Sequence, residues 1–348
     1  MKTIIEYSSF KCNLISYSKK YNDIIMEFYK KFNNYYCFEF GVEDSDLFTI
    51  CLCDDIDKNL FNNINCDIAL IHNSHSKNKK ILLNGLVYRQ EDAIKQAAKI
   101  SKGNVKFFKV LETNTYIKLE DKRLIMCGNN IYDDLVYVFE TLLNTFLEKE
   151  GNIALHAASC LVNGEGVVIC GKSGSGKTTL LFDLIKNNNA IFQANDRVSI
   201  YKKKNDSFYI CGIPIPVNVP QKTMTGLERW KDTEIVKKSE SHDKIRFSVE
   251  EIPLLFDETV NKDIKLKKIL ITDYNKNENP AVKKLSALSA LERLDVLSPF
   301  DYCHPNWLEV YTSDRQDVTV KNIIKKWLEN IDVYLLTGNN PYESFCKI

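Results

Sequence analysis

An α/β fold is predicted for most of this 348-residue chain, on two observations made along residues 151–201. Apolar runs rich in β-forming residues alternate with amphipathic stretches, as in sheets that are covered by helices. The apolar run at 167–170 also leads directly into a glycine-rich turn, and an apolar helix follows that turn. With 44% apolar residues, the chain can bury a sizeable core.

Two domains are predicted, with a boundary between residues 130 and 131. Residues 1–130 mix strand-like runs, such as 47–53, with polar, Asn-rich loops. A short helix is predicted at 91–100, so this part is expected to be a small α+β domain whose role the sequence does not reveal. Residues 131–348 are expected to form the α/β domain.

The α/β domain begins with an amphipathic helix at 132–149, in which apolar residues recur at steps of three and four. Gly151 is predicted to end that helix, because glycine is favoured just past a helix C-terminus. The other elements follow from the same kinds of pattern. Strands are predicted at 153–162, 167–170, 190–194, 198–201, 207–211, 268–272 and 333–336, and helices at 179–186, 286–297 and 318–331.

The overall charge gives no reason to expect a polyanionic partner. The chain has 47 basic and 46 acidic residues, so neither nucleic acid nor an anionic membrane is expected. The N-terminus lacks the apolar core of a secretory signal, and no run reaches the roughly 20 apolar residues that cross a bilayer. The protein is therefore expected to be cytoplasmic.

The 11 cysteines are expected to be reduced thiols, because they are scattered within apolar runs and form no CxxC pair. The nearest pair, Cys51 and Cys53, is expected to point to different faces of its strand. The five histidines are not spaced as metal ligands. No structural metal site is therefore predicted.

Residues 171–178 match the pattern GxxxxGK[ST], which is typical of a phosphate-binding loop. Glycines let successive backbone N–H groups turn towards one phosphate, and the following helix adds its positive N-terminal end. Lys177 is predicted to reach the terminal phosphates, and the Thr178 hydroxyl to bind Mg²⁺. The alternative is a glycine-rich turn that binds no ligand. The predicted nucleotide-binding residues are Gly171, Lys172, Ser173, Gly174, Ser175, Gly176, Lys177, Thr178 and Thr179.

A turn signal at 163–166 predicts a hairpin that brings His156 to the mouth of this loop. With a two-residue turn there, the numbers of paired residues sum to about 327 to 329, which places His156 opposite residues 171–173. An imidazole at that position could bind a phosphate or hold a catalytic carboxylate. The alternative is a core histidine whose hydrogen bonds are satisfied.

Two aspartates compete for the metal-binding and proton-accepting roles. Asp273 follows the apolar strand at 268–272, as in a conventional Walker B sequence, but it could also begin a turn. Asp196 follows the strand at 190–194, which is expected to run parallel to the strand before the loop. A carboxylate at that edge can accept a hydroxyl proton or bind Mg²⁺ through water. These patterns alone do not separate the two.

Basic side chains that could stabilise charge on a transferring phosphoryl group are predicted at three positions. Lys244 and Arg246 would share one face of a short strand, although a solvated charge pair is the alternative. Arg197 follows Asp196 directly and is the third candidate. The irregular stretch 221–262 is either a lid over the site or an ordinary surface loop.

The combination of these segments resembles the HPr kinase/phosphorylase superfamily, and in particular its HPr-kinase-related members, some of which belong to peptide-modification pathways. Order and spacing match over residues 132–201, and a weaker similarity continues to about residue 340. Residues 1–130 carry no such resemblance. The segments that match are Leu155-His156-Ala157-Ala158, the loop at 171–178, and Asn195-Asp196-Arg197-Val198.

This resemblance implies a P-loop kinase domain related to phosphoenolpyruvate carboxykinase, which uses ATP and Mg²⁺ to phosphorylate a serine-type hydroxyl. Asp196 is then the catalytic base and, with Thr178, a metal ligand, while His156 and Lys177 are the other catalytic residues. The implied partner is a peptide or small-protein acceptor, and a homo-oligomer is left open.

Three residues depart from the family pattern. Asn195 replaces one acid of the usual acidic pair, Lys172 stands where the bifunctional enzymes have aspartate, and Thr179 stands where they have glutamate. The missing acids argue against the reverse, phosphorolytic reaction. We therefore expect a kinase that is not a phosphorylase and does not act on the sugar-transport carrier protein.

Three other functions remain as alternatives. Asn195 favours an ATP-binding sensor or scaffold with a degenerate kinase site. A small-molecule hydroxyl could replace the peptide as acceptor. A mechanical or transport ATPase is disfavoured, because the sequence has no LSGGQ-like signature and no glutamate after Asp273.

Overall fold

The chain forms a mixed α/β structure with two large sheets and few helices in the described residues. It divides into two compact units. The first comprises Met1–Glu150 with Tyr302–Ser313, and the second comprises Gly151–Asp301 with Asp314–Ile348. The computed structural model describes residues 1–62, 66–73, 80–83, 86–89, 94–203, 207–220, 223, 244–256, 258–260, 263–294, 306–310 and 317–348.

The first unit contains a nine-stranded sheet, in the order β3-β1-β2-β4-β11-β10-β9-β8-β5, and a separate hairpin of β6 and β7. Its α-helices are α1 (Lys19–Phe32) and α2 (Tyr132–Lys149), and Lys58–Phe61 is a 3-10 helix. The strands are β1 (Lys2–Tyr7), β2 (Phe10–Ser16), β3 (Cys37–Phe40), β4 (Phe48–Leu52), β5 (Asp67–Asn73), β6 (Lys80–Leu83), β7 (Leu86–Arg89), β8 (Ile94–Lys102), β9 (Val105–Val110), β10 (Tyr116–Glu120) and β11 (Arg123–Cys127).

Aromatic side chains hold the helices of this unit against its sheet. Phe139 of α2 meets Phe28 of α1 at 5.2 Å between ring centroids and Phe10 of β2 at 5.5 Å. The unit also includes Trp307, which is buried edge-on against Phe108 and donates its indole N–H to Thr141 of α2 at 2.9 Å. This contact explains why a segment so distant in sequence belongs to the first unit.

Two predictions for the first unit are wrong. The helix predicted at 91–100 is instead strand β8 from residue 94 onwards, while residues 91–93 lie outside the described residues. Hydrogen bonding to β5 and β9 on both sides outweighs the helix propensity of its Ala and Lys residues. The sulfurs of Cys51 and Cys53 lie 3.8 Å apart, because residues two apart in a strand share a face.

The helix predicted at 132–149 has those bounds in the structure, and Gly151 follows it with φ at +99°. Asp133 and Asp134 in its first turn favour the positive end of the helix dipole. The predicted domain boundary falls before this helix, whereas the helix belongs to the first compact unit, whose N-terminal segment ends at Glu150.

The second unit contains the other nine-stranded sheet, in the order β12-β16-β17-β20-β14-β13-β15, with β22 pairing with β20 and β21 with β22. Strands β18 and β19 form a separate pair. The elements are β12 (Ile153–Leu155), β13 (Ala158–Val162), β14 (Glu165–Cys170), α3 (Lys177–Asn188), β15 (Ile191–Ala194), β16 (Val198–Lys202), β17 (Phe208–Gly212), β18 (Val217–Pro220), β19 (Lys244–Phe247), a 3-10 helix (Val249–Glu251), α4 (Ile252–Leu255), β20 (Ile264–Tyr274), β21 (Ala281–Lys284), α5 (Ala287–Leu294), α6 (Asp317–Leu328), β22 (Asp332–Gly338) and α7 (Pro341–Phe345).

Parallel strands form the centre of this sheet, since β20 pairs in parallel with both β14 and β22. Strand β15 also runs parallel to β14, because both are antiparallel to β13 between them. One face, with Val168 and Ile271, packs against α5 and α6. The other, with Ile169 and Leu270, packs against α3. The carboxyl ends of β14, β15 and β20 therefore meet at one edge.

The predicted hairpin is confirmed, with Asn163 and Gly164 in its turn, both at positive φ. Paired residues of β13 and β14 sum to 327, as in Val162 with Glu165. The single strand predicted at 153–162 is broken, however, at His156 and Ala157. Strand β12 pairs with β16, while β13 pairs with β14 and β15.

Candidate active site

Residues 171–176 form a tight loop between β14 and α3, and its shape depends on glycine. Gly171 has φ at +151°, and a Cβ atom there would lie 2.2 Å from Ser175 Oγ and 2.6 Å from the Thr272 carbonyl oxygen. Gly176 precedes α3 with φ at +95°. Side chains at these positions would strain the backbone or displace the loop. The strand, glycine turn and helix predicted from the sequence are thus present in this order.

Lys177 is folded inward, over its own loop. It is buried, and its Nζ donates hydrogen bonds to the carbonyl oxygens of Gly171 at 2.8 Å and Lys172 at 3.1 Å. By contrast, Lys172, Ser173 and Gly174 are exposed at the loop tip. The ammonium group is therefore held against the carbonyl oxygens of the loop itself.

A contact that the sequence analysis missed joins the loop to β20. Ser175 Oγ lies 2.8 Å from Thr272 Oγ1, and the Thr272 hydroxyl is also 3.1 Å from the Cys170 carbonyl oxygen. Both side chains are buried. The alternation of side chains along β20 could have predicted this contact, because Thr272 faces the same side as Leu270, which packs against α3.

The first turn of α3 is tied to the end of β15. The Thr178 hydroxyl donates to Asn195 Oδ1 at 3.2 Å, and Asn195 is only 2% exposed. The Nδ2 group of Asn195 has no hydrogen-bond partner among the described residues. A buried amide donor of this kind is stabilised when a ligand oxygen accepts from it.

Asp196 lies at this same edge and adopts an uncommon backbone conformation. Its φ is +68°, in the left-handed region where Asp and Asn are tolerated better than other non-glycine residues. His156 Nε2 lies 3.4 Å from Asp196 Oδ1, and the two side chains are 45% and 29% exposed. His156 is thus not a core histidine. It reaches Asp196 from the break between β12 and β13, not from a ladder position opposite residues 171–173.

Asp273 points away from the loop. It follows Thr272 in β20, so its side chain projects from the opposite face of the sheet. There it lies 3.5 Å from Arg293 of α5, and both side chains are more than half exposed. Of the two aspartates that the residue patterns alone did not separate, Asp196, which the family resemblance favours, is the one whose strand end is tied to the loop helix.

The positions of the three basic candidates do not assign them a role. Lys244 and Arg246 lie in β19 opposite Pro220 and Asn218 of β18, so they do occupy one short strand. Arg197 is only 4% exposed and directly precedes β16. Their assignment to a substrate or phosphate stays a prediction. Most of 221–262 lies outside the described residues. The two alternatives for this stretch, a lid over the site and an ordinary surface loop, both remain predictions.

The described residues contain no group of three His, Cys, Asp or Glu side chains that could hold a metal ion. The oxygens near the loop still fit Mg²⁺, which is commonly bound by one or two protein oxygens together with substrate phosphates and water. Thr178 and Asp196 would supply those protein oxygens. Gly171 bears on the phosphates rather than on the ion, since no residue with a side chain can occupy the turn.

Two further findings concern the cysteines and the helices of the described residues. The described cysteines are free thiols, and burial raises the pKa of Cys170, beside the loop, to about 12, so this thiol is not a nucleophile at neutral pH. Of the helices described, not one combines the length and the apolar character that a bilayer crossing demands.

Comparison with known proteins finds no matching family and a weak structural similarity. No protein-family model matches the chain, and no curated protein matches it. Among solved structures, the Hpr(Ser) kinase/phosphatase from Coxiella burnetii aligns with 56% of this chain and 90% of its own, at 13% identity and a TM-score of 0.26. A similarity of this size does not establish a shared fold or activity.

Proposed function

We propose that the second unit is a P-loop kinase domain, related in fold to HPr kinase, that transfers the γ-phosphoryl group of ATP to a serine-type hydroxyl of a peptide or small protein. The observation that carries the proposal is the Thr178–Asn195 hydrogen bond. It ties the helix that begins in the glycine loop to the strand end that bears Asp196. A lysine, a hydroxyl and a carboxylate thereby share one edge of the sheet.

Each group has a role in such a transfer. Asp196 accepts the proton of the acceptor hydroxyl while that oxygen bonds to the γ-phosphorus, and the bond to the β,γ-bridging oxygen breaks to release ADP. Lys177 and the loop amides stabilise negative charge on the phosphates. His156, beside Asp196, orients the carboxylate. Mg²⁺ bound near Thr178 would neutralise phosphate charge.

The acceptor class rests on the resemblance of residues 132–201 to kinases of peptide modification. A small-molecule hydroxyl is the alternative acceptor, and the proposed location is the cytoplasm. The absence of a second acid at Asn195 supports transfer to the acceptor over the reverse reaction.

An ATP-binding module without transfer is the second candidate, and Asn195 favours it. At the position that could carry a second carboxylate, the chain has a neutral amide that already accepts from Thr178. Such a module would bind MgATP through the same loop. It would differ from a kinase only in leaving the γ-phosphate in place.

The test incubates the purified chain with MgATP and serine-containing candidate peptides, and measures intact mass and ADP. A kinase adds one phosphoryl group to an acceptor, with ADP formation that depends on that acceptor. Lys177→Met should abolish both, whereas Lys283→Met, at an exposed position of β21, should not. ATP binding without transfer to any candidate would favour the module, and rapid acceptor-free hydrolysis would favour a transport ATPase.

A further inference from the structure

A cavity of about 360 Å³ lies in the second unit, directly beside the exposed tip of the glycine loop. This volume falls in the range of small-molecule sites. Gly176 and Thr179 border it on the loop side, and Tyr274, Asn339 and Pro341 border it elsewhere. The cavity is therefore contiguous with the loop and lies beside the ends of β20 and β22, while Asp196 follows the end of β15.

Helix α3 presents two polar side chains to this cavity. Thr179 and Asp183 both line it, and they are four residues apart, so they lie on one face of the helix. The Asp183 carboxylate is partly buried, and this burial raises its pKa, although Lys186 opposes the shift. A carboxylate that is poorly solvated gains from hydroxyl or N–H donors on a ligand.

A tyrosine ring and a proline ring supply apolar surface. Tyr274 ends β20 on the same face as Thr272, and it is 48% exposed. Gly176 keeps the space between Tyr274 and Pro341 open, because a Cβ on Gly176 would lie 3.1 Å from Pro341 Cγ and 3.9 Å from Tyr274 Cβ. The exposed amide of Asn339 borders the same space.

We propose that this cavity binds the nucleoside of the nucleotide whose phosphates occupy the glycine loop, an inference that rests on the function proposed above. Tyr274 stacks on the base, and Asp183 accepts a hydrogen bond from a ribose hydroxyl. Planar bases stack on aromatic rings, and a carboxylate suits the two hydroxyl donors of a ribose. The loop alone would hold any polyphosphate, whereas this cavity selects a nucleoside.

The experiment compares the binding of MgATP with that of magnesium tripolyphosphate, by calorimetry, on the full chain. Tripolyphosphate can occupy the loop but has no nucleoside. Wild type should bind ATP about tenfold more tightly than tripolyphosphate. Tyr274→Ala should remove that preference by weakening ATP alone, and Tyr274→Phe should keep most of it because the ring remains. Tyr17→Ala, at a tyrosine 66% exposed in the first unit, is the matched control.

The outcomes separate the two proposals. Equal affinity of wild type for both compounds, or equal weakening of both by Tyr274→Ala, overturns the nucleoside site while the loop function stands. Binding of neither compound overturns both proposals. Circular dichroism of each variant checks that an altered affinity does not come from unfolding. A weaker ATP affinity for Asp183→Asn, with tripolyphosphate unchanged, would support the ribose contact independently.

Discussion

Each of the two units has an aspartate next to a basic side chain, but the two aspartates differ in their exposure and in the donors around them. In the first unit, Asp134 is 2% exposed, pairs with Lys95, and accepts from the hydroxyls of Thr113 and Thr115. In the second, Asp196 is 29% exposed, stands at a strand end with positive φ, and has His156 beside it. The first arrangement is closed by protein donors, while the second leaves a carboxylate accessible to a substrate.

The largest expected effect is on activity in the second unit. Asp196→Asn removes the charge but keeps the shape, and asparagine tolerates the positive φ. Phosphoryl transfer should fall by about 10² to 10⁴-fold, the usual contribution of a general base. ATP affinity, measured by calorimetry, should change little. Transfer at the wild-type rate would exclude Asp196 as the proton acceptor.

The corresponding change in the first unit should act on stability instead. Asp134→Asn leaves Lys95 without its buried counter-ion, which costs about 3 kcal/mol. The backbone amides of α2 should exchange their hydrogens faster as a result, since Asp134 lies in the first turn of this helix. ATP binding by the second unit should be unchanged. Unaltered exchange in α2 would contradict a structural role for this ion pair.

A matched pair of glycines sharpens the contrast between the units. Gly171→Ala places a Cβ against Ser175 and Thr272, and should cost about 3 kcal/mol and most of the ATP affinity. Gly103→Ala also has positive φ, at +60°, but no atom lies within 4 Å of the added Cβ. It should cost about 1 kcal/mol, from backbone strain alone. Urea unfolding and calorimetry would compare them, and equal costs would show that packing around Gly171 is loose.

The smallest effect concerns the pH dependence of stability at Asp183. Since burial raises its pKa, the folded protein holds this proton more tightly than the unfolded chain does. Its contribution to stability is therefore lost as pH rises from the unfolded pKa, near 3.8, through the folded one. Asp183→Asn should raise the thermal midpoint of the ligand-free protein at pH 7 but not below pH 3. A lower midpoint at pH 7 would show that the carboxylate is stabilised by protein donors.

The elements from residue 132 onwards were largely predictable, whereas most of those before it were not. A long amphipathic helix, an apolar strand before a glycine turn, and an Asn-Gly hairpin are local signals, and each was found where predicted. Helix α1 has a clear Ser18 cap and was still missed, as were β1 and β2. The helical composition of β8 misled the prediction, because its pairing partners on both sides are distant in sequence or separated by a turn.

For the site, the sequence by itself determined which chemical groups are present: a glycine-dependent loop, one lysine, one hydroxyl, and two competing aspartates. Tertiary structure decided how they are arranged. Strand alternation turned Asp273 away and Thr272 inward, and the break after β12 brought His156 beside Asp196. The cavity is bordered by Tyr274, Asp183 and Pro341, which lie far apart in the chain. No local sequence pattern predicts that these residues are close in space. Backbone and side-chain chemistry are local properties, whereas proximity depends on the packing of the whole sheet.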